Sequence, residues 1–379
     1  MMQPIEFVDL KAQASALGDG IKHSMDAVLS HGRFIMGPEV YALEQKLSDF
    51  TGAKHVISCA SGTDALLMAL MALGIGPGHA VFTSPFTFIA TAEVICLLGA
   101  VPVFVDIDKD TFNLDPVKLE QAIEYFYRNP RYRGLLPKCV IPVDIFGLPA
   151  EYEPINEIAH KHQLTVIEDA AQSLGSRSGN KMAGNLTDIA ATSFFPAKPL
   201  GCYGDGGAIF TNDGNLKEKI VSIRVHGMGR HKYDNIRIGI NGRLDTLQAA
   251  ILIQKLKIFE SELKKREEVA VKYKERLNGL VQFQKIRENC MSSWAQFSFL
   301  CRDRNVVVSR LESQKIPTAI YYPIPLHLQE AFSMLNHKKG DFPVAEAVSK
   351  TILSIPMHPY LSDEQIECIT KNIQISIRD

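Results

Sequence analysis

The rhythm of apolar and polar positions changes repeatedly along the first two thirds of the chain. Short apolar runs, most of them rich in Val, Ile or Phe, occupy 55–60, 80–84, 101–107, 139–145, 164–168, 190–195 and 207–211. Turn residues usually bound them, and such brief, nearly continuous apolarity predicts strands covered on both faces. Between these runs the period lengthens to that of a helix. In 63–73, Leu66, Leu67, Leu70 and Met71 share one face, and 116–127 and 151–162 behave likewise. The alternation predicts an α/β domain layered around a mainly parallel, seven-stranded sheet.

The pattern then changes. From 243 to 277 the helical period persists, but Lys255, Lys257, Lys264 and Lys265 are interleaved with Glu260, Glu262, Glu267 and Glu268. Mixed signs at helical spacing describe a solvated face with i,i+4 pairs rather than a nucleic-acid patch. This stretch is read as the connection to a smaller α+β domain. The expected division is a large domain over 1–256 and a small C-terminal one over 257–379.

Composition narrows the class. With 379 residues, 46% of them apolar, the chain can bury a sizeable core without disulfide or metal staples. Lys and Arg total 41 against 42 Asp and Glu, which argues against nucleic acid or an anionic membrane as the main partner. The seven cysteines are scattered and form no C-x-x-C pair, so neither a disulfide framework nor a zinc ribbon is expected. His226 and His231 lack companions for a metal site, and no metal is expected. The longest apolar stretch, 94–105, is interrupted by Gly99 and Pro102 and is too short to span a bilayer. The N-terminus shows no basic segment followed by an apolar run. A cytoplasmic enzyme is the expectation.

Three segments carry candidate chemistry. Ser61-Gly62-Thr63 lies between a strand and a helix, where free N–H groups and the helix dipole attract an anion. The same residues would serve equally as a helix cap. Glu168-Asp169-Ala170-Ala171-Gln172 ends a buried strand, at the sheet edge where open α/β folds bind ligands. There the acids either form a structural ion pair or face a cationic ligand atom. Lys198 sits in the loop Phe194-Phe195-Pro196-Ala197-Lys198-Pro199-Leu200, followed by a glycine-rich run. It is either a solvated surface lysine or, given its apolar flanks, a desolvated nucleophile for carbonyl chemistry. A phosphate cradle, a carboxylate and an activated lysine together match what pyridoxal phosphate requires.

In order and spacing, these segments resemble the fold-type I pyridoxal-phosphate enzymes, and within them the DegT/DnrJ/StrS sugar-nucleotide aminotransferases. Further shared stretches are Gly37-Pro38-Glu39-Val40, Pro85-Phe86-Thr87-Phe88, Asn241-Gly242-Arg243-Leu244-Asp245 and Tyr322-Pro323-Ile324-Pro325-Leu326-His327. The resemblance implies that Lys198 bonds the cofactor and that Asp169 pairs with its pyridinium nitrogen. Gln172 would lie near the ring and its 3-hydroxyl, and Phe88 would stack on the ring. Gly62, Thr63 and Ser193 would contact the phosphate. Asn241 would reach the phosphate from a neighbouring subunit, making a homodimer with shared sites.

The loop after Lys198, with Gly204-Asp205-Gly206-Gly207, is similar to the branch that aminates C3 of a UDP-linked 3-keto sugar acid for surface polysaccharide. That implies a nucleotide-sugar substrate and L-glutamate as donor. Arg243 would bind the sugar carboxylate, with Tyr321, Tyr322 and His327 as further substrate contacts. Tyr321 departs from the family, which has His there. A C4-aminating enzyme, a TDP-3-keto-6-deoxyhexose 3-aminotransferase and a non-catalytic regulator are the alternatives.

Overall fold

A computed structural model describes residues 4–378. Seven strands form the central sheet: β1 His55–Cys59, β2 His79–Thr83, β3 Val101–Phe104, β4 Leu136–Ile141, β5 Thr165–Asp169, β6 Ile189–Ser193 and β7 Gly207–Thr211. Their order is β1-β7-β6-β5-β4-β2-β3. Only β7 runs against its neighbours, pairing antiparallel with both β1 and β6. The other pairings are parallel. The expected α/β layering and seven-stranded, mainly parallel sheet are therefore present.

The strands read as continuous apolar runs because helices cover both faces of the sheet. Side chains alternate across a strand. Ile57, Val81, Ile141, Ile167, Ile189 and Ile209 point one way and pack with Leu66, Leu70, Val94 and Ile220. Phe82, Val140 and Val166 point the other way, against Leu119, Ile123 and Ile155. On that same side Val56, Ala190 and Phe210 meet Val40, Leu43 and Leu252. Each large apolar side chain buried this way contributes roughly 1.5–3 kcal/mol.

β4 and β3 stop furthest short of their apolar runs. β4 ends at Ile141 because Pro142 has no N–H to donate. The Pro142 carbonyl still accepts from the N–H of Asp169, 3.0 Å away. β3 ends at Phe104, and Asp106 turns away to accept from the N–H groups of Val344 and Ala345, at 3.0 and 2.9 Å.

The helix Thr246–Leu277 is continuous and serves two cores. Ala249, Leu252, Phe259 and Leu263 join the core beside β6 and β7. Val269, Ala270, Tyr273 and Leu277 join a second core with the helices Arg304–Ser313 and Asp363–Arg378. That second core surrounds an antiparallel sheet of Gln282–Phe283, Phe297–Leu300 and Ile352–Ile355. The 256/257 division lies inside this helix. A phenylalanine-rich cluster that includes Phe86, Phe104, Phe332 and Phe342 bridges the two parts.

β1, whose end opens the candidate site, is pinned by an ion pair between buried Arg224 and partly buried Glu44. Arg224 Nη1 donates to Glu44 Oε1 at 2.6 Å and to the Ser58 carbonyl at 2.9 Å. The same Glu44 oxygen accepts from the Ser58 N–H and hydroxyl. Removing one partner strands the other charge in the interior. Glu44→Ala is expected to lower stability by about 3 kcal/mol, read as a fall in melting temperature. Replacing both residues by Leu should recover most of the loss.

Candidate active site

The parallel strands all end on one edge of the sheet, and the candidate residues follow those ends. After β1 the chain enters the helix Gly62–Ala72. Ser61 caps it, its Oγ accepting from the Asp64 N–H at 3.0 Å. The cap reading is thus correct for Ser61. Gly62 and Thr63 begin the helix, where N–H groups have no partner within it. A Cβ on Gly62 would lie 2.7 Å from the Ser193 Cβ, so only glycine lets the ends of β1 and β6 close together.

The acidic pair at the end of β5 is split by strand alternation. Glu168 is fully buried and accepts from the N–H groups of Gly184 and Leu186, at 2.7 and 3.2 Å. Asp169 faces the site instead. Its Oδ2 accepts from the Thr91 hydroxyl at 2.8 Å and its Oδ1 from the Ala171 N–H at 3.2 Å. Burial pushes its carboxyl up from the usual range, while Thr91, Ala171 and the charge of Lys198 pull it back.

Lys198 follows β6 in a loop that folds tightly on itself. A Cβ on Gly201 would come within 2.5 Å of the Pro196 carbonyl, so the turn needs glycine. Desolvation lowers the Lys198 amine to about 8, against a smaller upward pull from Asp169. Gln172 is locked: its Oε1 accepts from the Phe146 N–H at 2.8 Å and its Nε2 donates to the Tyr322 hydroxyl at 3.4 Å. Phe146 holds a left-handed φ of 60° to make that contact, an unusual conformation for a bulky residue.

These groups surround one cavity of about 430 Å³. Of the expected residues, Gly62, Thr63, Phe88, Asp169, Gln172, Ser193, Lys198, Tyr321 and Tyr322 line it. Phe88 is 57% exposed, consistent with a ring presented to a ligand rather than to the core. His327 is not among them. It is buried, bonded to Glu346 at 3.1 Å and packed on Phe342, because the Pro-flanked segment turns inward there. Asn241 is exposed and Arg243 half-buried, and neither lines the cavity of its own chain.

Thr91, Thr87, Gln296 and Asp205 line the cavity and were not anticipated. A hydroxyl in the stretch Phe86-Thr87-Phe88-Ile89-Ala90-Thr91 was the available signal for Thr91. Gln296 carried none.

The profile of the DegT/DnrJ/EryC1/StrS aminotransferase family matches residues 16–374. The chain belongs to that family. It is 49% identical over 366 residues to the UDP-2-acetamido-2-deoxy-3-oxo-D-glucuronate aminotransferase of Pseudomonas aeruginosa, covering 96% of this chain and 98% of that one. A DegT/DnrJ/EryC1/StrS aminotransferase crystal structure from Brucella abortus superposes with a TM-score of 0.96, at 47% identity and full coverage of both chains. The NtdA protein of Bacillus subtilis, solved with bound cofactor PMP, gives 0.90 at 29% identity, covering all of this chain and 86% of that one. The fold is that of these aminotransferases.

The position of Lys198 among DegT-family site groups has a measurable consequence. Its lowered pKa means that the neutral, nucleophilic amine prevails above about pH 8 rather than above the ordinary lysine value. In cofactor-free protein, the rate of single-site labelling by an amine-reactive aldehyde should rise with a midpoint near 8. Asp169→Asn removes the charge that raises this pKa, so the midpoint should fall further.

Proposed function

We propose that this DegT-family protein is a pyridoxal-phosphate-dependent aminotransferase. It moves an amino group from L-glutamate to C3 of a UDP-linked 3-keto sugar, best matched by UDP-2-acetamido-2-deoxy-3-oxo-glucuronate. The observation that carries the reading is a partly desolvated lysine facing a buried carboxylate in one cavity, beside an open helix N-terminus.

The residues fit the cofactor. Gly62, Thr63 and Ser193 offer N–H and hydroxyl donors for a phosphate. Phe88 offers a ring face, and Asp169 a carboxylate that a protonated ring nitrogen would neutralise. Pyridoxal phosphate, when bound, supplies an aldehyde for the lysine amine and a ring that accepts the electron pair left by a departing C–H proton. Lys198 Nζ then works as base and acid, taking the proton from the donor's α-carbon and returning it within the same pocket. Its pKa of about 8 suits both roles near neutral pH. Asp169, held by Thr91 and Ala171, keeps the ring oriented, and Gln172 braces one edge.

The substrate assignment rests on the likeness to the Pseudomonas enzyme over nearly the whole chain. The site is taken as shared in a homodimer. Asn241 and Arg243 would cross to the partner's cavity, Asn241 to the phosphate and Arg243 to the sugar carboxylate. Exposed Ile236 and Ile238 precede Asn241, and exposed Phe34 and Ile35 lie beside Asp245 and Thr246, which favours an interface there. Surface-polysaccharide assembly in the cytoplasm is the corresponding setting. Among the described residues no helix is long and apolar enough to cross a membrane.

Three measurements test this. Borohydride should fix the cofactor on Lys198, and Lys198→Ala should lose activity on the order of 10⁴-fold. A Lys198→Ala variant that still transaminates would sink the assignment. Product NMR should show nitrogen at C3; nitrogen at C4 would move the protein to the C4-aminating branch. Mixed dimers of Lys198→Ala and Asn241→Ala subunits should regain activity that neither parent shows, since one intact site re-forms.

A further inference from the structure

The cavity has two carboxamides, and they differ in one respect. Gln172 spends its oxygen on the Phe146 N–H and its nitrogen on the Tyr322 hydroxyl. Gln296 has no hydrogen-bond partner among the described residues, although its Oε1 is buried. It precedes the strand Phe297–Leu300, and Trp294, Ala295 and Phe297 around it are buried. Those neighbours fix the backbone, and Gln296 itself lines the cavity that also holds Lys198 and Tyr321. A buried carbonyl oxygen without a donor is costly and is normally satisfied. Here no described protein group satisfies it, and the residue that carries it lines the space in which a substrate must bind.

We propose that Gln296 is a specificity-determining residue that binds the acceptor sugar, its Oε1 accepting from an N–H or O–H of that sugar. The inference rests on the aminotransferase reading above and adds a residue to it. An amino donor with two carboxylates is a poor partner for a lone acceptor oxygen, since like partial charges repel. Its one cationic group, the amine, is consumed at the cofactor. A nucleotide sugar carries hydroxyls, and the proposed one also carries an acetamido N–H on the carbon adjacent to the reacting carbonyl. Either donor satisfies Oε1, and a pocket built around an unpaired polar atom discriminates against ligands that leave it unpaired.

The test uses full-length protein with its cofactor converted to the pyridoxamine form. Two unreactive probes are titrated: UDP-2-acetamido-2-deoxy-glucuronate and UDP-glucuronate, which has a hydroxyl in place of the acetamido group. Gln296→Leu should bind the acetamido probe about tenfold more weakly than wild type. The rate at which L-glutamate converts the pyridoxal form should stay within about twofold, because the inference confines the loss to the acceptor. A loss on the acetamido probe alone assigns the N–H; equal losses on both assign a hydroxyl that they share. Both results support Gln296 as an acceptor contact. Unchanged binding of both probes overturns the inference and leaves the aminotransferase reading intact, and so does an equal loss in the glutamate reaction. Failure of wild type to bind either probe overturns the sugar assignment and this inference together. Cofactor absorbance at wild-type stoichiometry verifies that the variant is folded.

Discussion

A carboxylate at the buried end of a central strand constrains everything around it. Asp169 is almost wholly removed from water. An ionised group there is tolerated only if donors and a cation compensate for the lost hydration. The donors come from its own turn, through Ala171, and from the helix Ala90–Leu97, through Thr91. The compensating charges are Lys198 and, when bound, a protonated ring nitrogen. Neither Asp169 nor Lys198 is comfortable alone: burial raises the pKa of one and lowers that of the other. Each charge partly corrects the other's shift, and that mutual dependence makes the pair a receptor for a group that is aldehyde at one end and base at the other.

The surrounding architecture holds these two groups still. Asp169 sits in register between β4 and β6, its N–H on Pro142 and its carbonyl accepting from Asp144. The lysine loop is folded back by Gly201, and Cys202 reinforces it with Sγ contacts to the carbonyls of Phe194 and Gly204. The C-terminal part supplies the far wall. Leu326 N–H bonds the Pro85 carbonyl, so the segment bearing Tyr321 and Tyr322 is tied to the loop bearing Phe88. Tyr322 meets Phe86 edge-on and reaches Gln172, which joins both parts at the cavity itself.

What the sequence made legible follows from where local pattern and long-range packing agree. The strands were readable because both faces of each are covered, which writes the burial into consecutive residues. Their ends were less so, since Pro142 and Asp106 stop strands through contacts that hydrophobicity does not encode. Lys198, Asp169 and Gly62 stood out because their chemistry conflicts with their apolar or tightly packed neighbours. Thr91 did not, because its role depends on a carboxylate 78 residues away. Gln296 was invisible for a related reason: an amide becomes informative only once it is known that nothing bonds it. His327 misled in the opposite sense. The resemblance made it a substrate contact, but Glu346 and Phe342 draw the ring inward, away from the cavity.

The split of Glu168 from Asp169 shows how one strand can place a charge without accumulating charge. Glu168 lies beneath the site, beside a second buried acid, Asp144, which accepts from the hydroxyls of Tyr152 and Ser173 at 2.7 and 2.6 Å. Burial holds both acids above the ordinary carboxylate range, with the charge of Asp144 adding to the rise at Glu168 and that of Asp169 adding to the rise at Asp144. Burial of the two neighbouring acids disfavours ionising both, so the surroundings favour keeping a proton on the pair. The sign is what matters for the site. Had Glu168 stayed ionised beside Asp144, its field would have favoured protonating Asp169 as well, removing the charge that a ring nitrogen needs. A proton held on the buried pair spares Asp169 that repulsion, while Thr91, Ala171 and Lys198 favour its charged form. The two adjacent acids are thus a scaffold group and a working group, separated by nothing more than the alternation of a β-strand.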